Sequence, residues 1–215
     1  MRQARLLRID RQHPEPELIA EAATLLRSGG VIAYLTDTLY GLGADAFNAA
    51  AVQRVFEVKS RMQEKALPVI IGNLNALPAV VQEISSTAKT LIDHFWPGPL
   101  SLIMLASPSL PMLLHSHTGK VAVRWPDCTV AQILAIAAGG ALTATSANRS
   151  GDAPARNVAE ALASLGNQLD LIIDSGPAIE TRPSTMIDVT VSPPRLTREG
   201  AIPFVMLDAV IKIQR

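Results

Sequence analysis

Four polar clusters punctuate this chain, each where an apolar run ends: Thr36-Asp37-Thr38, Lys59-Ser60-Arg61 with Lys65 beyond it, Ser146-Ala147-Asn148, and Ser184-Thr185 with Arg198 further on. Lys120 and Arg124 bracket a further apolar strand. Taken singly, each of these cations reads as a surface charge. Several strand-end clusters together describe a pocket, with cations for phosphates and hydroxyl or amide groups for a small polar substrate. Guanidinium and ammonium groups neutralise charge that gathers on transferring phosphoryl oxygens. Arg61 and Arg198 suit planar, bidentate contacts, and Lys65 acts as a point charge.

Other chemistries are poorly served. GLGADA lacks the third glycine of a dinucleotide fingerprint, and there is no GxxxxGK[ST] loop. His13, His94, His115 and His117 are not arranged as a metal site. His115 and His117 would share one face of a strand, but their serine-rich surroundings read as a solvated loop. The single cysteine, Cys128, excludes an internal disulfide and a cysteine zinc cage. No histidine lies near it in sequence to activate it, so it reads as a small packed residue.

Positioning these clusters requires a large core, and 215 residues with 48% hydrophobic and 18% charged content supply one. Formal net charge is zero, which argues against a molecule that binds nucleic acid by bulk charge. Between Trp96 and Gly151, however, Asp127 is the only acid against Lys120, Arg124 and Arg149, a local lean towards an anionic ligand. MRQARLLRID is too polar for a signal peptide, and no run approaches the roughly 18 apolar residues of a membrane span. A cytoplasmic location is the expectation.

The organising stretch is Val31 to Gly43: a buried strand, Val31–Leu35, that ends in three short polar side chains and a glycine-containing close. A helix from Pro14 to Arg27 precedes it, stopped by Gly29-Gly30. Asn48 caps a second helix, Ala49 to Lys59, whose C-terminal end delivers Lys59, Ser60 and Arg61. Further helices are expected over Ser86–Phe95, Thr129–Ala138 (capped by Pro126-Asp127) and Asn157–Leu165. Strands are expected over Pro68–Ile71, Leu100–Ala106, Val121–Arg124, Leu142–Thr145, Leu171–Asp174, Thr185–Val189 and Arg195–Arg198. Strict strand–helix alternation breaks near Leu100–Arg124 and after Leu171, so an α/β (α+β) fold with a mixed parallel and antiparallel sheet fits better than a purely parallel one.

Six motifs occur together and in order: YLTDTLYGLG at 34–43, KSR at 59–61, WPGPL at 96–100, VAVRWP at 121–126, TSANRSG at 145–151 and PST at 183–185. On these the chain closely resembles the YrdC/Sua5 family of threonylcarbamoyl-AMP synthases, from about Leu18 to Gly200. The resemblance implies a twisted mixed sheet flanked by helices, with a concave basic cavity. It also implies one YrdC-like domain over residues 1–215, the short form without a separate C-terminal Sua5 domain. The implied reaction joins L-threonine, bicarbonate or CO2, and ATP into threonylcarbamoyl-AMP and pyrophosphate. The adenylate then passes to a threonylcarbamoyl transferase complex that modifies adenosine 37 of tRNA to t6A.

Carried over by motif, Lys59 and Arg61 are the catalytic candidates. Arg61, Lys65, Lys120, Ser146, Asn148, Pro154 and Arg198 fall at ATP-side positions, although the family usually has threonine where Lys120 stands. Thr38, Arg124, Ala144 (through its backbone) and Ser184 fall around the threonine, with Arg124 facing its carboxylate. Mg2+ is expected on the ATP phosphates, with no protein ligand. Three departures stand out: Leu35 and Met62 replace prolines, and Ile70 replaces a histidine found in many members, which bears on substrate identity. The competing readings are a double-stranded RNA- or tRNA-binding, ribosome-associated module, and a paralogue making a different carbamoyl-adenylate. The scarcity of aromatic residues, 4%, weakens the RNA reading.

Overall fold

A computed structural model describes residues 4–180 and 182–215. In chain order its elements are β1 (Arg5–Arg8), α1 (Pro16–Arg27), β2 (Ile32–Leu35), β3 (Tyr40–Gly43), α2 (Ala49–Lys59), β4 (Val69–Ile71), α3 (Leu77–Val80), α4 (Ser86–Phe95), β5 (Leu100–Leu105) and β6 (Lys120–Arg124). They continue with α5 (Thr129–Ala138), β7 (Ala141–Thr143), β8 (Thr145–Ser146), α6 (Val158–Leu165), β9 (Leu171–Asp174), β10 (Thr185–Asp188), β11 (Arg195–Arg198) and α7 (Phe204–Asp208). The fold is mixed α/β, and its strands divide into two sheets. One runs β1-β9-β2-β3-β8 and the other β11-β10-β5-β6-β4-β7. Both combine parallel pairs (β1 with β9, β5 with β10) and antiparallel ones (β2 with β3, β5 with β6).

Local sequence accounts for most of these elements. Proline opens α1, whose Ile19, Ala22, Ala23 and Leu26 form its buried stripe. The Asn48 side chain accepts from the backbone N–H groups of Ala50 and Ala51, capping α2 as expected. Helix α5 departs from expectation: its N-cap is Cys128, which makes no side-chain cap bond, and Asp127 caps nothing. The turn holding His115 and His117 is not a strand; both His117 and its neighbour Ser116 have positive φ.

Two departures matter for the site. Tyr40–Gly43, which by composition reads as a glycine-containing turn, is the second strand of a hairpin with β2. Of its two glycines, Gly43 is required by packing: a Cβ there would come within 2.5 Å of the Tyr34 ring. The run expected as one strand, Leu142–Thr145, splits between sheets. Ala141–Thr143 pairs with β4, and Thr145–Ser146 pairs with β3. At the crossing, Ala144 N–H donates to Pro68 C=O (2.8 Å). The Thr143 hydroxyl donates to Leu42 C=O (3.0 Å) and accepts from Ala44 N–H (3.0 Å). One continuous stretch therefore stitches the two sheets together and carries Ser146 between them.

Candidate active site

The second sheet presents one face to a cavity of about 640 Å3, and the period of two along each strand selects which side chains reach it. From β5 come Ser101 and Ile103, from β6 Lys120, Ala122 and Arg124, and from the β10 segment Ser184, Met186 and Asp188. The register aligns them in cross-strand rows: Met186 opposite Ser101, Asp188 opposite Ile103, Ile103 opposite Ala122, and Arg124 opposite Ile70 of β4. The hairpin between β2 and β3 supplies Thr36 and Thr38 to the opposite wall, β8 supplies Ser146, and the following loop Pro154.

Strand β11 reaches the cavity through an irregularity. Arg195 pairs with Asp188 and Leu196 with Ile187, but Met186 pairs with Arg198, leaving Thr197 as an extra residue. A bulge of this kind re-aims the side chains that follow it. It sets Arg198 on the same face as Arg195, with Thr197 also lining the cavity. The Arg198 guanidinium is then fixed by Ser184: Nε donates to its carbonyl and Nη2 to its hydroxyl, both at 3.0 Å. That hydroxyl also lies 2.8 Å from Ser101 Oγ. Burial, and secondarily the charge of Arg124, lowers the pKa of Arg198.

The hairpin turn is the most heavily cross-bonded part of the wall. Thr36 Oγ1 donates to Leu39 C=O (2.7 Å) and receives the backbone N–H groups of Thr38 and Leu39 (both 3.2 Å). The Thr36 and Thr38 hydroxyls lie 3.1 Å apart, a contact in which either oxygen can donate. Arg124 Nη1 donates to Thr38 Oγ1 (3.2 Å) and lies 2.9 Å from Asp37 Oδ1. Both side chains of that ion pair are at most 10% exposed, and the contact is close without being an aligned hydrogen bond: among the described residues neither Asp37 oxygen has an aligned donor.

Arg61 enters from the C-terminal end of α2. Ser60 takes the left-handed conformation (φ 49°) that ends the helix and turns the chain. Arg61 Nε and Nη2 then donate to the carbonyls of Lys65 (2.9 Å) and Ala66 (3.0 Å). Burial lowers its pKa. Lys120 pairs with Asp188 at 3.1 Å. Asp188 also accepts the N–H (2.9 Å) and hydroxyl (2.6 Å) of Thr190. Burial pushes the Asp188 carboxyl upward, but Thr190 and Lys120 outweigh it and hold its pKa below the ordinary value.

Of the residues singled out from sequence, Thr38, Arg61, Lys120, Arg124, Ala144, Ser146, Pro154, Ser184 and Arg198 all line this one cavity. Lys59, Lys65 and Asn148 do not. Lys59 is 2% exposed, and its ammonium donates to Ser146 C=O (2.5 Å), Asn148 C=O (2.6 Å) and Asn148 Oδ1 (3.4 Å). The Asn148 amide in turn donates to the carbonyls of Arg149 and Asp152, each at 2.8 Å. Together they are the frame of the turn that carries Ser146. Burial pushes the Lys59 ammonium down to about 7, with the Arg61 charge adding to the effect, while Asp152 opposes it. Lys65 is exposed and contributes its carbonyl to Arg61. Ser101, Asp188, Arg195 and Thr197 line the cavity without having been singled out. The signal for Ser101 and Asp188 was a polar residue inside an otherwise apolar strand; the placement of Thr197 and Arg195 depends on the bulge and edge position of β11.

The Sua5/YciO/YrdC family model, described as telomere recombination, matches residues 24–200. The chain belongs to this family. A threonylcarbamoyl-AMP synthase of Vibrio cholerae serotype O1 is 36% identical over 174 residues, covering 80% of this chain and 93% of the relative. Among solved structures of the family, P. abyssi Sua5 complexed with L-threonine superposes with a TM-score of 0.93 at 32% identity. That match covers 97% of this chain but 62% of the Sua5 chain, so the chain spans less than two thirds of that relative. Escherichia coli YciO superposes with a TM-score of 0.82 at 28% identity, covering 94% and 97% of the two chains. Relatives named as synthases do not favour RNA binding as the primary role. Among the described residues no helix is long and apolar enough to cross a membrane.

Proposed function

We propose that this chain is an L-threonylcarbamoyladenylate synthase, a nucleotidyltransferase acting in the cytoplasm for t6A modification of tRNA. One observation carries the reading: Thr38, Arg61, Ser146 and Arg198, far apart in sequence, line a single cavity together with Arg124 and Ser184. Threonine sits at the buried end, its carboxylate on Arg124 and the Ser184 hydroxyl. ATP lies across the cationic mouth, in reach of Arg61, Ser146, Lys120 and Arg198, with Ala144 and Pro154 shaping the wall.

Starting from the ammonium form, the threonine nitrogen bonds to the carbon of bicarbonate or CO2, giving a carbamate, with loss of one proton and water from bicarbonate, or of two protons with CO2. A carbamate oxygen then attacks the α-phosphate, and the bond to the β-phosphate breaks to release pyrophosphate. No protein nucleophile is needed, so catalysis is positioning and charge stabilisation. Arg61 touches the charge that develops on the phosphates. Lys59, with Asn148, is in this reading a positioning group that acts through Ser146, and Lys65 acts from solvent. Mg2+ enters on the ATP phosphates; the described residues offer no group of three His, Cys, Asp or Glu side chains to hold it, and no step is assigned to it. The product passes to a tRNA-modifying transferase complex.

Purified protein with ATP, bicarbonate and Mg2+ is expected to release pyrophosphate when L-threonine is added. Equal release with L-serine or with no amino acid would remove the assignment.

A further inference from the structure

We infer that Asp37 makes the amino-acid end of this cavity select zwitterions over plain carboxylates, acting from outside the cavity wall through Arg124 and Thr38. The inference rests on the proposal above that this end holds threonine.

Asp37 is a buried carboxylate in an unusual state. Both its oxygens are shielded from solvent and lack an aligned hydrogen-bond donor among the described residues, whereas buried carboxylates ordinarily collect several. The nearest charge is the Arg124 guanidinium, 2.9 Å away and itself buried. In such surroundings a charge acts on its neighbours far more strongly than in water. A ligand bringing only a carboxylate to Arg124 therefore meets a cation that is already largely neutralised, and feels the Asp37 charge as repulsion.

A ligand that also brings an ammonium is treated differently. The Thr38 hydroxyl lines the cavity and lies 3.1 Å from that of Thr36. Thr38 Oγ1 accepts from Arg124 Nη1, and as a cavity-lining oxygen it is an acceptor site for a ligand donor. An ammonium N–H fits that site, and the Asp37 charge one residue away in the chain favours it. Meanwhile Arg124 spends only Nη1 on Asp37 and Thr38; its Nε and Nη2 have no partner among the described residues and remain for the ligand carboxylate. Asp37 and Arg124 thereby form a buried dipole matched end to end by an α-amino acid. Asp37 is a specificity-determining residue that touches no substrate atom.

The test is a ratio of affinities, because loss of Asp37 acts oppositely on two ligands. Titration calorimetry at pH 7 without ATP would compare L-threonine with 3-hydroxybutyrate, which is threonine without its amino group. Wild-type protein is expected to favour threonine. In Asp37→Asn, 3-hydroxybutyrate should bind several-fold more tightly, and the threonine-to-hydroxybutyrate ratio should fall at least tenfold. Should Asp37→Asn not fold, Asp37→Ser is read by the same ratio. An unchanged ratio, with both ligands weakened together, means that Asp37 only supports structure and overturns the inference while leaving the synthase reading intact. Wild-type protein that binds no threonine overturns both.

Discussion

The two ends of the cavity are built on different principles. At the hairpin end, Thr36, Asp37, Thr38 and Arg124 are buried and bonded mainly to one another, so their arrangement exists before any ligand arrives. At the mouth, Lys120, Arg195 and Arg198 sit on β6 and the edge strand β11, at least partly open to solvent; Lys120 and Arg198 are held by one or two contacts each. A buried, cross-bonded group gives geometric selectivity because its geometry cannot relax. An exposed cation gives attraction, weakened by water and salt, that tolerates adjustment. The contrast suits a small amino acid at the inner end and a long, flexible, highly charged nucleotide at the outer one.

The contrast is most exposed to refutation at Arg124. Arg124→Ala leaves the Asp37 charge buried and alone, and should cost about 3–5 kcal/mol in urea unfolding as well as abolishing turnover. Adding Asp37→Ala should restore much of the stability and none of the activity. A loss no greater than that seen for a rim lysine would erase the distinction between the two ends.

Lys59→Met comes next. It removes an ammonium hydrogen-bonded to two carbonyls and an amide oxygen, and hydrogen bonds to charged groups contribute about 1.5–3 kcal/mol each when broken. With the turn at Ser146 released, kcat/KM for ATP should fall at least tenfold, with a smaller change in KM for threonine. Equal change in both would place Lys59 outside the nucleotide end. Ser184→Ala should do less: it takes away a hydroxyl shared by Ser101 and Arg198, about 1 kcal/mol, or roughly fivefold in KM for threonine by steady-state pyrophosphate release.

Lys120→Met should have the smallest effect. Its partner Asp188 keeps the Thr190 hydrogen bonds, and the lysine is about one third exposed, so screening limits the loss to about 0.2–1 kcal/mol at pH 7. Because the folded protein holds the Asp188 carboxyl below its ordinary pKa of 3.8, the stability it contributes is present above that value. That stability is lost as pH falls through the lower, folded pKa. The difference between wild type and Lys120→Met in thermal unfolding should therefore be full at neutral pH and vanish once acidification passes the lowered, folded pKa. A difference that persists in acid would mean that Lys120 acts through something other than Asp188.

Much of the fold and of the cavity wall is legible in the order of the residues. Apolar periodicity locates helices such as α1 and α2, and the polar residues ending strands mark most of the wall, because both signals are local. Tyr40–Gly43 is not legible as a strand, since its Gly43 answers to the Tyr34 ring rather than to a turn. The split at Ala144 is equally hidden: which sheet each half of 141–146 joins depends on strands distant in sequence.

By itself, then, the sequence determined the chemical inventory: short hydroxyls, amides and guanidinium groups at the ends of apolar runs, and the ordered motifs that mark the family. Tertiary structure alone decided which of those groups share a cavity and which only support it. Lys59 and Arg61 stand two residues apart, yet one is buried as a clamp beneath the Ser146 turn and the other lines the cavity. Their difference arises from a left-handed Ser60 and from carbonyl acceptors nearly ninety residues away, and no local pattern of side chains encodes such partners.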